Sequence, residues 1–94
     1  PDAPEGYYLR GEVLLAQENH AKALENYTEA IRRGDLETTY SAFGERFNMV
    51  DMLSKRGLCQ RKLGDEEGAR KTGEAILKID PENGIGHALK EPAG

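Results

Sequence analysis

The chain has 94 residues, 37% of them apolar and 32% charged, with a net charge of −4. That length fits one small domain burying roughly 60–65% of the surface its unfolded chain exposes, and the apolar share is too high for a tail that must stay disordered. No run of about 18 apolar residues exists, which excludes a helical membrane span, and an acidic balance argues against a nucleic-acid partner met through a basic surface.

Cys59 is the only cysteine, which leaves no internal disulfide and no cysteine-based zinc site. It is compatible with a reducing compartment such as the cytoplasm. The chain begins Pro1-Asp2-Ala3-Pro4 and ends Pro92-Ala93-Gly94, which reads as a piece cut from a longer protein or as a processed product.

In chain order, a helix is expected from Pro4 or Glu5, since proline and an acidic residue are both favoured in a first turn. Tyr7, Gly11, Leu14 and Leu15 recur at the spacing of an amphipathic helix. Glu18-Asn19 breaks the pattern, and Asn19 suits the cap of a second helix. That helix runs to Arg32-Arg33, where basic residues complement the negative helix end and Gly34 supplies a stop. Ala23, Tyr27 and Ala30 lie on one of its faces as small, large, small, so a partner helix can approach closely at the alanines and wrap around the ring. Residues 4–34 therefore read as an antiparallel helical hairpin.

A second frame follows from Met52 to Pro81. Leu53 and Arg56-Gly57 match Tyr7 and Arg10-Gly11 in spacing, and Ala69 follows Gly57 as Ala23 follows Gly11. Leu63-Gly64-Asp65 has the form of a helix end, a left-handed glycine and an N-cap. Ile76-Leu77-Lys78-Ile79 leads to Asp80-Pro81, where the proline ends the helix. Residues 82–91 read as a short last helix with Ile85, Ala88 and Leu89 as its buried side.

This frame resembles the tetratricopeptide repeat, a family of 34-residue helix-turn-helix units. The residues that carry the resemblance are Tyr7, Gly11, Leu14, Ala23, Tyr27, Ala30 and Asp35, then Leu53, Gly57, Leu63-Gly64-Asp65, Ala69 and Asp80-Pro81. Arg-Gly replaces the family's more usual Leu-Gly in both copies. The resemblance implies an all-α fold: antiparallel helical hairpins stacked as a two-repeat right-handed solenoid with a C-terminal capping helix. Repeat one would span about 4–37 and repeat two about 50–81, with the capping helix at about 82–91. Tyr7, Gly11, Ala23, Tyr27, Ala30, Gly57, Ala69, Ile76 and Pro81 would carry the repeat packing.

Two departures stand out. Gly73 sits where a large aromatic belongs and Ile76 where a small residue belongs, which suggests a volume swap across one turn. Gly57 follows Gly11 by 46 residues, about 12 more than the family's period of about 34. The extra residues fall at 38–49, where Tyr40, Phe43, Phe47 and Val50 recur at helical spacing. This predicts an inserted helical segment, either prolonging the following helix or standing alone with Gly44 as a break. Its aromatics either cover the thin core or project towards a partner or a second copy.

No catalytic set emerges. His20 and His87 are the only histidines, without ligand spacing; His20 is expected at the surface and His87 half-buried in the last helix. Arg56 and Lys62 flank Cys59 by one helical turn, a basic setting that lowers a thiol pKa, but a lone cysteine without a histidine reads as packing. No phosphate-binding glycine loop is present, and Asp65-Glu66-Glu67 reads as a helix start rather than a metal site. No cofactor and no metal are expected.

What remains is a surface. By resemblance, the first helix of each hairpin lines a concave side that binds an extended peptide or a partner helix. Here that face would hold Tyr8, Glu12 and Leu15, then Asp51, Lys55, Leu58 and Lys62. Some relatives clamp a chaperone's C-terminal carboxylate; Leu9 and Asp51 stand where an asparagine and a lysine of that clamp belong, and only Lys55 is compatible, so this use is not expected. The expected role is a protein–protein interaction module. The alternative is a structural module that self-associates into a homo-oligomer through the aromatic insert.

Overall fold

The computed structural model describes residues 3–92. Pro1-Asp2 and Ala93-Gly94, part of the terminal runs from which a cut fragment was inferred, lie outside the described residues. Helix α1 spans Pro4–Ala16 and α2 spans His20–Arg33; a hairpin of β1 (Tyr40–Ala42) and β2 (Glu45–Phe47) follows. Then come α3 (Met49–Lys62), α4 (Glu66–Ile79) and the short α5 (Gly84–Lys90).

The same local devices close both helical pairs. At the end of α1, the amides of Glu18 and Asn19 bond back to the carbonyls of Leu15 and Leu14, each at 2.9 Å. At the end of α3, Gly64 and Asp65 bond to Arg61 and Gln60 in the same way. This closure needs a left-handed residue, filled by Glu18 (φ 60°) in the first pair and Gly64 (φ 84°) in the second. Asn19 and Asp65 then accept from the amides of Lys22 and Gly68 and cap α2 and α4.

Across each pair an arginine reaches the second helix. Arg10 Nε donates to Asn26 Oδ1 at 3.3 Å, and Arg56 Nε donates to Thr72 Oγ1 at 3.0 Å. This gives the Arg-Gly dipeptides a purpose: the glycine admits a neighbour, and the arginine beside it ties the two helices together.

Where the insert was expected to be helical, the chain forms an antiparallel hairpin pairing Tyr40 with Phe47, Ser41 with Arg46 and Ala42 with Glu45. The fold is therefore mostly helical rather than all-α. Phe43 and Gly44 make a two-residue loop with φ of 51° and 82°, the left-handed pair that a tight hairpin turn of this hand requires. The aromatic spacing that looked helical arises because Tyr40 and Phe47 meet across the strands, with ring centroids 5.5 Å apart. An isolated two-stranded hairpin is marginal in water. Here Phe47 is buried and stacks on Tyr8 of α1 at 3.9 Å, which docks it.

Two apolar clusters make up the core. Tyr8, Ala23, Tyr27, Ala30, Phe47, Met52 and Cys59 form one, while Leu53, Ala69, Ile76 and Leu89 form the other. Ile31 and Met49 pack against both and join them. In the first pair the Tyr27 ring lies over Gly11, where a Cβ would come within 2.8–3.0 Å of it. In the second pair the corresponding Gly73 has no ring to offer. Ile76 does not supply the missing volume by a swap within α4; Leu89 of α5 enters instead, and a Cβ on Gly57 would overlap its Cδ1.

Helix α5 is thus seated through Gly86 and Leu89. Ile85 and Ala88, expected on its buried side, are exposed, and so is His87. The His87 ring instead contacts the Pro81 carbonyl at 2.9 Å, and Pro81 is itself exposed. The C-terminal carbonyls of α5 are held by Arg61, which donates to Ala88 and Leu89 at 3.0 Å and to Glu91 at 2.6 Å. Replacing Arg61 by Met keeps the apolar stem but removes these charge-assisted bonds. The expected loss is about 1–2 kcal/mol in urea unfolding. Hydrogen exchange should quicken at α5 amides and stay unchanged in α2; uniform quickening would show that the contact does not act locally.

Candidate interaction surface

The residues expected on the ligand-facing side come from α1 and α3, and one contact brings the two helices together there. Glu12 on α1 pairs with Lys55 on α3 at 3.4 Å. The same carboxylate accepts a 2.5 Å hydrogen bond from the Tyr27 hydroxyl. Glu12 therefore ties together α1, α2 and α3. Burial and the adjacent Glu12 carboxylate push the Tyr27 phenol well above the usual tyrosine range, which keeps it a donor.

Asp51 is exposed but engaged at the start of α3, where Asn48 and Asp51 form a reciprocal capping box. Leu15 is half-buried against the first core cluster. Leu58, 45% exposed, and Lys62 remain open to solvent. Tyr8 corrects the expectation that it faces a partner. Only 7% exposed, it lies under the hairpin between Tyr27 and Phe47. The insert thus covers the α1 end of this face, a consequence of the hairpin that a helical insert did not suggest.

Cys59 is fully buried, and desolvation raises its thiol pKa; nearby Lys55 works the other way without overcoming it. The basic setting inferred from Arg56 and Lys62 does not make it a reactive thiolate. Tyr7 is half-buried beside two guanidinium groups, Arg10 at 4.6 Å and Arg33 at 5.0 Å from its ring centre, each within cation–π range.

Sequence reasoning overlooked one surface feature and left another open between two alternatives. Leu9 and Val13 of α1, the latter 57% exposed, line an almost wholly apolar depression together with Arg10 and Leu14. Phe43 stands at the hairpin tip, 91% exposed. For the latter, the available signal was Gly44 between short runs of strand-forming residues.

Residues 4–34 match the family model described as a tetratricopeptide repeat. This span covers α1 and α2 with the Schellman turn and Asn19 cap between them. This part of the chain is thus similar to a tetratricopeptide repeat. No curated protein matches the chain. Tetratricopeptide repeats in general mediate protein–protein interaction and are not themselves catalysts. Among the described residues no helix is long and apolar enough to cross a membrane.

Proposed function

We propose that this chain is a protein–protein interaction module in which α3 and α4 form a second, diverged tetratricopeptide unit. The two units stack as a right-handed solenoid, and α5 caps its end. Supporting this are the devices repeated 46 residues apart: the left-handed turn at Glu18 and Gly64, the caps Asn19 and Asp65, and the ties Arg10–Asn26 and Arg56–Thr72. Leu89 supplies to the second unit the volume that Tyr27 supplies to the first.

The face shared by α1 and α3 binds a short segment of a partner protein. The Glu12–Lys55 pair carries this reading, because it fixes the two first helices side by side. Leu15, Leu58 and Lys62 offer apolar contact and an exposed cation beyond that pair, and Asp51 lies at the other end. A few buried apolar contacts supply the affinity and flanking charges the register.

The test is a display selection of short random peptides against the chain, followed by affinity measurements on Leu58→Asp and Lys62→Glu. Lys55 is left intact because reversing it would set a second carboxylate beside Glu12. Peptides bound on this face should weaken by about tenfold with Leu58→Asp. If every selected peptide binds both variants as tightly as the parent chain, the face is wrong. The exposure of Phe43 favours a second reading, self-association through the insert, which sedimentation at rising concentration measures directly.

A further inference from the structure

Phe43 carries two costs that nothing among the described residues offsets. Its φ of 51° is a rare backbone state for a bulky residue, and its ring stands 91% exposed. Asparagine would fill this loop position more readily. Below the ring, between the hairpin and α1, lies a cleft of 170 Å³ whose apolar walls include Leu9, Ala42 and Phe47. Among the described residues, its charged lining is Glu12 and Glu45. Glu12 is already engaged by Tyr27 and Lys55. Glu45 is exposed and makes no ion pair among the described residues. Leu9 also lines the neighbouring apolar depression around Val13.

We propose that the cleft between the hairpin and α1 receives a segment of another protein in which an apolar side chain stands beside a lysine or arginine. The apolar side chain enters the cleft under Phe43, and the cation meets Glu45. Charge complementarity decides this occupant over a second copy. A two-fold contact through the same cleft would bring one hairpin's Glu45 towards the acidic lining of the other. The site rests on the interaction-module reading given above but not on the α1–α3 face, from which it is separately testable.

The same random-peptide selection supplies the probes. Selected peptides should be enriched for an aliphatic or aromatic residue adjacent to a lysine or arginine. Their affinity, read by fluorescence polarisation, should fall by about tenfold or more on Phe43→Asn, as for loss of an interface anchor. Glu45→Lys should weaken them by about threefold to tenfold and shift a repeated selection towards acidic peptides. Circular dichroism should show both variants folded, since asparagine suits the left-handed position. Peptides that respond only to Leu58→Asp and Lys62→Glu overturn this site and leave the α1–α3 face standing. Peptides without a basic residue, or indifferent to Phe43→Asn, also overturn it. So does a dimer in sedimentation that Phe43→Asn abolishes. A selection that enriches nothing overturns the site together with the interaction module on which it rests.

Discussion

Tyr27→Ala should remove about 3–5 kcal/mol of stability, the range for emptying a fully buried aromatic site. A domain of this size has on the order of 5–10 kcal/mol in total, so the melting midpoint should fall by roughly 15–30 °C. The ring fills the contact between α1 and α2, touches Tyr8 edge-on and donates to Glu12. Tyr27→Phe separates these roles. It keeps the ring and removes only the hydroxyl, at an expected cost of about 1 kcal/mol. Gly11 supplies the decisive comparison. A Cβ there would press on the ring from 2.8 Å, and a fully buried ring has nowhere to go, so Gly11→Ala alone should cost about 1–3 kcal/mol. In the Tyr27→Ala background that space is empty. There Gly11→Ala should become neutral or stabilising by up to about 1 kcal/mol through helix propensity. Equal costs of Gly11→Ala in both backgrounds would show that the glycine and the ring are not coupled.

Gly73→Ala should destabilise the chain even though it replaces glycine by the best helix former in the middle of α4. Propensity favours the change by about 1 kcal/mol. The new Cβ, however, would lie 2.7 Å from the Gly86 carbonyl oxygen, 3.0 Å from Leu89 Cβ and 3.1 Å from the Lys90 amide nitrogen. Two of those atoms are backbone, so α5 as a whole must move away. Moving it uncovers Ile76 and withdraws Leu89 from its place over Gly57. The net expectation is about 1–3 kcal/mol of lost stability, with fast hydrogen exchange across α5. Gly57→Ala should be milder, because the closest atom there is the far end of the Leu89 side chain, which can rotate. Gly84→Ala meets no atom within 4 Å and should leave stability unchanged or raised. If Gly73→Ala behaves like Gly84→Ala, α5 is not held by close backbone approach.

The two helical pairs were legible from local chemistry because their signals act within a few residues. Pro4, Asn19, Asp65 and Gly64 each do their work within one turn of where they stand, and the Ala23–Tyr27–Ala30 face needs only the helical period to be recognised. Residues 38–49 were misread for a specific reason. Seven positions between Tyr40 and Phe47 equal two turns of a helix, but they also equal a pair of short strands around a two-residue loop. Gly44 and the strand-forming Thr38-Thr39-Tyr40 favoured the second, and a helical count of the aromatics hid them. Of the surface residues, Glu12, Asp51 and Lys55 stand on helices where expected. The Asn48–Asp51 capping box is local and was overlooked, whereas the bonds of Glu12 to Tyr27 and Lys55 were invisible without the neighbouring elements.

What the order of amino acids determined unaided is where the helices begin, turn and stop, because caps, glycines and prolines act on their own backbone. Three matters were decided only when distant segments met in space. Leu89 takes the place of a missing ring, Phe47 seals Tyr8 beneath the hairpin, and Phe43 is left in water beside an acidic cleft. Each depends on side chains at long sequence separation competing for the same volume. That competition has no period to read, because its outcome depends on how the packed elements divide the space between them.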